Sequence, residues 1–311
     1  MTKFLRKLAI YLLILFGFVV LVFPTILLFP NQYAKLSHET NVVYSINRLK
    51  HLNEPKMLII GGSGCGFGID SEKLFLHYNR PIVNTGTHAG LGLRLQIELF
   101  KEYIKEGDVV IVIPEYQQYK DNLCYGNSTA LRILSSIYPT GFKAVSVEQW
   151  IYLFKFIPQT FMDALISKDM KYVENTPYSK EALNQFGDVT MYNQRISKKK
   201  VPLDEKVFNK KVDIEAVELL VDFDKYVRQK KATMLLFPPA YQASSFHQNN
   251  QFIETLQQQL SEAGCPFRAC PSRYALPDSL FFDTPYHLSA VGTQERTCLL
   301  IEDIDQNLSK K

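Results

Sequence analysis

"KMLIIGGSGCGFGIDSEKLFLHY", Lys56 to Tyr78, is the stretch that decides the fold. Its opening run, Met57–Ile60, is apolar without alternation, as in a strand whose two faces are both buried. Five glycines follow over eight positions, Gly61, Gly62, Gly64, Gly66 and Gly68, with Ser63 among them. Asp70 or Ser71 then opens a helix, since either side chain can cap free amides of a first turn. A buried strand, a glycine turn and a helix form the opening unit of a parallel α/β sheet.

The pattern repeats outward. "PIVNTG" (Pro81–Gly86) reads as a second strand, and "LGLRLQIELFKEYIKEG" as a helix stopping at Gly107. "DVVIVIPEY" (Asp108–Tyr116) is a β-branched third strand, and "DIEAVELLVDFDKYVRQKK" an amphipathic helix. "ATMLLFPPA" reads as a fourth strand, "NQFIETLQQQLSEAG" as a helix, "PFRAC" as a fifth strand and "SAVGTQERTCLLIEDIDQNL" as a closing helix. The expected class is α/β, with a parallel sheet of about five strands covered on both sides. Residues 117–210, rich in Tyr, Lys and Phe, are too long for a connection. They are expected to form an inserted helical subdomain over one edge of the sheet, with "VSVEQWIYLFKFIPQTFMDALI" helical inside it.

The amino terminus carries a different signal. Lys3, Arg6 and Lys7 precede Leu8–Pro30, which holds no charge. Crossing a bilayer takes ~20 apolar residues, and the flanking cations place the amino end in the cytoplasm. The expected layout is an anchor over 1–30, a polar connector with some helical character over 31–55 and an extracytoplasmic domain over 56–311, with the membrane as one partner. A net charge of +4 with basic residues spread along the chain argues against nucleic acid. Five cysteines are no disulfide framework in 311 residues; outside the cytoplasm one bridge is allowed, with Cys265 and Cys270 the nearest pair. No Cys or His pair has zinc spacing, so neither a metal nor a cofactor is expected.

The glycine loop lacks the spacing of a dinucleotide fingerprint and the lysine of a Walker loop. What remains is a turn whose amides converge, suited to structure alone or to an oxyanion. Serine needs a base to become a nucleophile. "FFDTPYHLSAVG" (Phe281–Gly292) supplies Asp283 and His287 before the last helix, on the same side of a parallel sheet as Ser63.

The order "GGS" after the first strand, "NTG" after the second and Asp–His before the last helix resembles the SGNH, or GDSL-type, hydrolases. The resemblance implies a flavodoxin-like three-layer sandwich and a place among esterases and carbohydrate O-acetyltransferases. The "DTPYHLS" ending and the anchor look most like extracytoplasmic SGNH-like proteins of bacterial surface-polysaccharide systems. By resemblance, Ser63 is the nucleophile, His287 its general base and Asp283 the orienting carboxylate. Gly86 would join the Ser63 amide in the oxyanion hole, with Asn84 opening the same block. Asn84, His88, Glu115 and Tyr116 are candidate substrate contacts; for His88, Glu115 and Tyr116 the alternative is a purely structural place in their loops. The implied partners are a polysaccharide or acylated sugar and a membrane acyl-donor protein.

Three features depart from the family. Gly62 stands where Asp is common. Asp283 is four residues before His287, where the family commonly has three. "IPEYQQY" replaces the asparagine block after the third strand, and Glu115 as an anion opposes an oxyanion. Two functions follow: an acyl-ester enzyme, O-acetyltransferase or esterase, or a non-catalytic glycan-binding or assembly component. Under the second, Ser63 is turn chemistry and His287 caps the last helix beside Ser289.

Overall fold

Four strands run parallel in the order β2–β1–β3–β4: β1 Met57–Gly61, β2 Ile82–Asn84, β3 Val109–Ile113 and β4 Thr233–Leu236. The computed structural model describes residues 2–309 apart from 29, 168–173, 198–200, 206 and 208, and for Thr2 and 18–28 only the backbone. The helices are α1 Thr2–Leu28, α2 Asn41–His51, α3 Ser63–Gly66, α4 Ser71–Tyr78, α5 Leu93–Phe100 and α6 Ser128–Ser136. They continue with α7 Val147–Leu153, α8 Ile157–Ile166, α9 Ile214–Gln229, α10 Ala243–Gln248, α11 Asn250–Glu262 and α12 Ala290–Leu308.

Alternation along each strand splits the core in two. Leu58, Ile60, Val110, Val112, Met234 and Leu236 pack with apolar residues of α2, α5, α9 and α11. Met57, Ile59, Val109, Ile111 and Leu235 face the other way, against Leu74 of α4 and Leu300 and Ile304 of α12. With helices on both faces, strands without a polar side are what burial requires.

The fifth expected strand is absent. "PFRAC" makes one strand-like bond, Arg268 N–H to the Leu236 carbonyl at 2.8 Å, and Pro266 beside it has no amide to donate. Instead β5, Tyr241–Gln242, pairs with β6, Ala275–Leu276, in a separate two-stranded parallel sheet. All five cysteines are free thiols, Cys265 buried and Cys270 exposed. The helix expected to end at Gly107 stops at Phe100 and passes into a 3-10 turn, Lys101–Tyr103.

Residues 31–55 hold α2, which is tied to the sheet. Asn41, fully buried, donates through Nδ2 to the carbonyls of Asn84 (2.9 Å), Gly86 (3.1 Å) and Gly187 (3.2 Å). It thereby ties α2 to the end of β2 and to the segment 174–197. At the amino-terminal end of the sheet, Lys56 and Asp108 form an ion pair of 2.6 Å, both side chains wholly buried. Asp108 also accepts the amides of Lys56 and Lys105, which satisfies the charge that burial would otherwise penalise.

Among the described residues no helix is long and apolar enough to cross a membrane. The side chains of 18–28 and the whole of Phe29, much of the expected anchor, lie outside them. In the amino-terminal part of α1 the apolar side chains from Phe4 to Phe16 are exposed.

Candidate active site

The strand order changes direction at β1, where the chain leaves toward β2 on one side and β3 lies on the other. Loops after adjacent strands part at such a point and leave a crevice at their carboxyl ends. Ser63 follows β1 there and Glu115 follows β3. Ser63 begins α3, with Gly62 in extended conformation before it (φ −80°, ψ −164°).

The loop Phe281–Leu288 brings the other half of the site. Phe281 and Leu288 form an antiparallel bridge, and the Phe282 amide donates to the His287 carbonyl at 2.7 Å. Thr284 Oγ1 accepts from the His287 amide at 3.1 Å. This closed turn sets Asp283 and His287 side by side, which accounts for their four-residue separation. His287 Nδ1 lies 3.0 Å from Asp283 Oδ1, and Nε2 lies 2.8 Å from Ser63 Oγ. A carboxylate only accepts, so the ring proton sits on Nδ1 and Nε2 is left to take the serine proton. Ser63 lies 224 residues from His287 in sequence, and the fold brings it within hydrogen-bond reach of the Asp283–His287 pair.

Further contacts hold the imidazole. Phe67, fully buried, stacks on its face with centroids 4.1 Å apart and planes 10° apart. Tyr178, from the long insertion, donates its hydroxyl to Asp283 Oδ2, and its oxygen lies 3.0 Å from His287 Nδ1. Burial, reinforced by Asp283, pushes the Tyr178 phenol well above its ordinary range, so it keeps that proton. Arg195, also from the insertion and buried, donates to Leu288 O from Nε (3.1 Å) and to Val189 O (2.5 Å) and Thr293 Oγ1 (2.6 Å). It also donates to Phe67 O, joining the segments that carry the stacking ring and the histidine. No motif announced Tyr178 or Arg195. Each acts across a large sequence separation from a stretch without periodicity.

Glu115 is the least expected occupant. Its carboxylate, 2% exposed, accepts from Gly64 N–H at 2.9 Å, from Ser63 Oγ at 3.2 Å and from Gln117 Nε2 at 2.6 Å. Ser63 therefore has one proton and two acceptors, His287 being the nearer.

The remaining expected site residues divide. His88 lies on the rim, its Nδ1 accepting from Gly90 N–H at 2.9 Å, so its Nε2 carries the proton. Gly86 and Asn84 take a different part from the one expected. The Gly86 amide donates to Asn84 Oδ1 at 3.0 Å, and Asn84 Nδ2 donates to Asp188 Oδ1 (2.8 Å) and Cys65 O (3.0 Å). Asn84 is wholly buried and brace-like: its short side chain reaches back to the turn instead of outward. Tyr116 is a core residue, fully buried with its ring edge-on to Tyr241 at 5.0 Å. Cys65 is buried too, and burial raises its thiol to about 12, which excludes a thiolate nucleophile.

The crevice has a volume of about 580 Å³ and is lined by Ser63, His88, Glu115, Asp204, Asp283 and His287, among others. Asp204 Oδ2 accepts the hydroxyls of Tyr241 (3.0 Å) and Tyr286 (2.9 Å). A volume of this size lies in the range of small-molecule sites. No family model matches the chain, and no curated protein is similar to it.

Proposed function

We propose that this protein is an SGNH-type acyl-ester enzyme that transfers an acyl group, such as acetyl, to or from a hydroxyl of a bacterial surface polysaccharide. One observation carries the reading: Ser63 Oγ, His287 and Asp283 stand in a continuous hydrogen-bonded line, with separations of 2.8 and 3.0 Å. The strand order 2-1-3-4 matches the first four strands of the flavodoxin-like order 2-1-3-4-5, which supports the resemblance.

In the first half-reaction Ser63 gives its proton to His287 Nε2 as Oγ bonds the acyl carbon. The ester's alcohol leaves with that proton. In the second, an acceptor hydroxyl or water gives a proton to Nε2, its oxygen bonds the acyl carbon, and Ser63 Oγ departs and is reprotonated. Hydrolysis and transfer differ only in which hydroxyl reaches the acyl-serine. Asp283 holds the Nδ1–H tautomer and meets the charge that forms on the ring.

The chain is anchored by its amino-terminal helix with the main domain outside the cytoplasm. Support comes from the uncharged run Leu8–Pro30, the cations before it and the exposed apolar side chains of α1. The insertion over 117–210 belongs to the same functional unit, since Tyr178 and Arg195 brace the histidine loop.

A second reading, a non-catalytic component that keeps the fold and binds a glycan, is favoured by the Glu115 carboxylate beside Ser63. Labelling of the full-length protein with a fluorophosphonate separates the two. The enzyme reading expects stoichiometric modification at Ser63, absent in His287→Ala. No modification at millimolar reagent supports the non-catalytic reading.

A further inference from the structure

The segment from Val147 to Ile166 carries a surface that the chemistry at Ser63 leaves unused. Its helices α7 and α8 are joined by a 3-10 turn, Phe154–Phe156. Leu153, Phe154, Phe156 and Ile157 all keep right-handed helical backbone, so the winding continues across the junction. Gln149, Leu153, Ile157, Thr160 and Ala164 recur in steps of three and four and are buried, which makes them the face turned to the protein. Val147, Ile151, Phe154, Pro158, Met162 and Ile166 recur in the same steps and are all exposed. Apart from the proline, these side chains are 40% to 74% exposed. Glu148, Tyr152, Lys155, Gln159 and Asp163 each stand one position after a member of the exposed row, so they form one narrow polar strip beside it. Lys155 folds back along that strip, its Nζ 3.9 Å from the Tyr152 ring centroid and 5.0 Å from that of Phe156.

A helix lying on a protein in water buries one apolar face and turns polar residues outward. This segment is apolar on two faces, and a second apolar medium is the natural complement to the outer one. Its place in the fold names that medium. α8 packs against α1 as well as α6. Asp163 and Ile166 line a cavity of about 490 Å³ together with Asn31, Tyr33 and Ala34, which follow closely on α1. A chain that leaves a bilayer near residue 30 therefore sets α8 at the bilayer surface. Trp150 and Tyr152 on α7 are the residue types that gather where lipid meets water.

We propose that the exposed row of α7 and α8 is a second membrane contact, an interfacial surface whose apolar side chains enter the lipid beside the anchor. The occupant is lipid, and the polar strip from Glu148 to Asp163 faces the headgroups and water. The proposal rests on the anchored reading above and goes beyond it, because this segment lies along the bilayer and does not cross it. Apolar faces of this kind sink ~5–10 Å, to the boundary of headgroups and acyl chains. With α1 as one attachment and this row as another, the domain cannot swing freely on its anchor.

The chain's one tryptophan, Trp150, is a built-in reporter: it precedes Ile151 and lies one turn from both Val147 and Phe154. The full-length protein is reconstituted into vesicles of phosphatidylcholine, with and without bromine on the acyl chains, and recovered by flotation. Bromine quenches tryptophan that reaches the acyl region. The expected result is loss of most Trp150 emission in the brominated vesicles relative to the unbrominated ones. Ile151→Glu combined with Met162→Glu changes two exposed positions and is expected to float equally well but to lose the quenching. Wild-type protein that floats and is not quenched overturns the proposal, leaves the anchor standing and assigns the row to a protein partner. Quenching that persists in the double variant also overturns it, because the row would then not be what holds Trp150 in lipid. Protein that does not float overturns the anchor, and the proposal with it.

Discussion

A Cβ on Gly62 would stand 2.5 Å from Glu115 Oε1 and 2.9 Å from its Cδ. Two departures from the SGNH pattern, Gly62 for Asp and Glu115 for the asparagine block, are therefore one feature: the glutamate fills the space that a side chain at 62 would need. Glu115 is buried and accepts from the Gly64 amide and from Gln117 Nε2, so it cannot swing away without breaking both bonds. Gly62→Ala is expected to cost on the order of 1–3 kcal/mol, as overpacking does. In a Glu115→Ala background the same change is expected to cost far less. Urea denaturation of the four proteins gives the coupling, about 1 kcal/mol or more for residues in contact. Additive losses would show that the two positions are independent.

Under the proposed mechanism Glu115 also bears on rate. A tetrahedral intermediate on Ser63 places negative charge beside a carboxylate that already holds the Gly64 amide. Donors at such a position contribute about 3–4 kcal/mol in other acyl-transfer enzymes, and an anion there works against them. Glu115→Gln is therefore expected to raise kcat for p-nitrophenyl acetate, with little change in KM. A fall in kcat would mean that the carboxylate positions substrate, and the electrostatic argument would be wrong.

How far the sequence reaches is clearest at β1 and β3. Runs such as Val109–Ile113, apolar on both faces, specify buried parallel strands, and the order of Ser63, Asp283 and His287 along the chain indicates their meeting place. Other details depend on contacts that leave no local pattern. Gly86 has the right neighbours for an oxyanion donor, yet Asn84 two residues earlier takes its amide. Tyr116 ends the third strand segment, where either face was open to it, and it turns inward. Asn41 looks like linker composition until its three carbonyl partners are found, two of them near residue 85 and one at 187. Tyr178 reaches Asp283 across 105 residues. Nothing in the spacing of either segment encodes that contact.

Tyr178 is a positioning residue under the proposed mechanism, because it touches Asp283 and His287 and not the reacting atoms. Tyr178→Phe keeps the ring that packs beside Phe67 at 5.2 Å and removes only the hydroxyl. A hydrogen bond to a charged group is worth about 1.5–3 kcal/mol, so kcat is expected to fall roughly ten- to a hundredfold. KM should hold, and the melting temperature should fall by no more than a few degrees. A parallel loss of melting temperature with kcat unchanged would make the contact structural.

His38 gives the fold a pH dependence whose sign follows from its burial. The folded chain holds it near 4 and the unfolded chain near 6.5, so the unfolded state binds more protons between those values. The stability it contributes is complete above about pH 6.5 and is lost as pH falls through 4. Its neighbours Glu39, His88 and His287 all modulate that charge, with Glu39 opposing the shift. The full effect is on the order of 3 kcal/mol. Asp188, raised by burial to about 6, shifts stability in the opposite direction over much of the same range. The informative quantity is therefore the difference between proteins. Chemical denaturation at pH 7 and pH 4.5 should show a larger loss in the wild type than in His38→Phe. Equal losses would contradict the assignment.

The last expectation concerns the line of Ser63, His287 and Asp283. If the three act as a unit, their losses do not add. Removing serine or histidine in comparable enzymes costs on the order of 10⁶ in rate, and the orienting carboxylate costs less. Ser63→Ala and His287→Ala are each expected to abolish acyl transfer and hydrolysis, and the double variant to be no worse. Asp283→Asn should keep a small residue, because Tyr178 still contacts His287 Nδ1 while the amide no longer enforces the Nδ1–H tautomer. The fold should survive Ser63→Ala, since among the described residues the Ser63 hydroxyl meets only His287 and the Glu115 carboxylate. His287→Ala removes a ring stacked on Phe67 and is expected to lower the melting temperature by a few degrees as well. Activity and stability must therefore be read separately for that variant. Ser63→Ala that leaves ester turnover intact, or losses that multiply in the double variant, would show that the hydrogen-bonded line is architecture and not a catalytic unit.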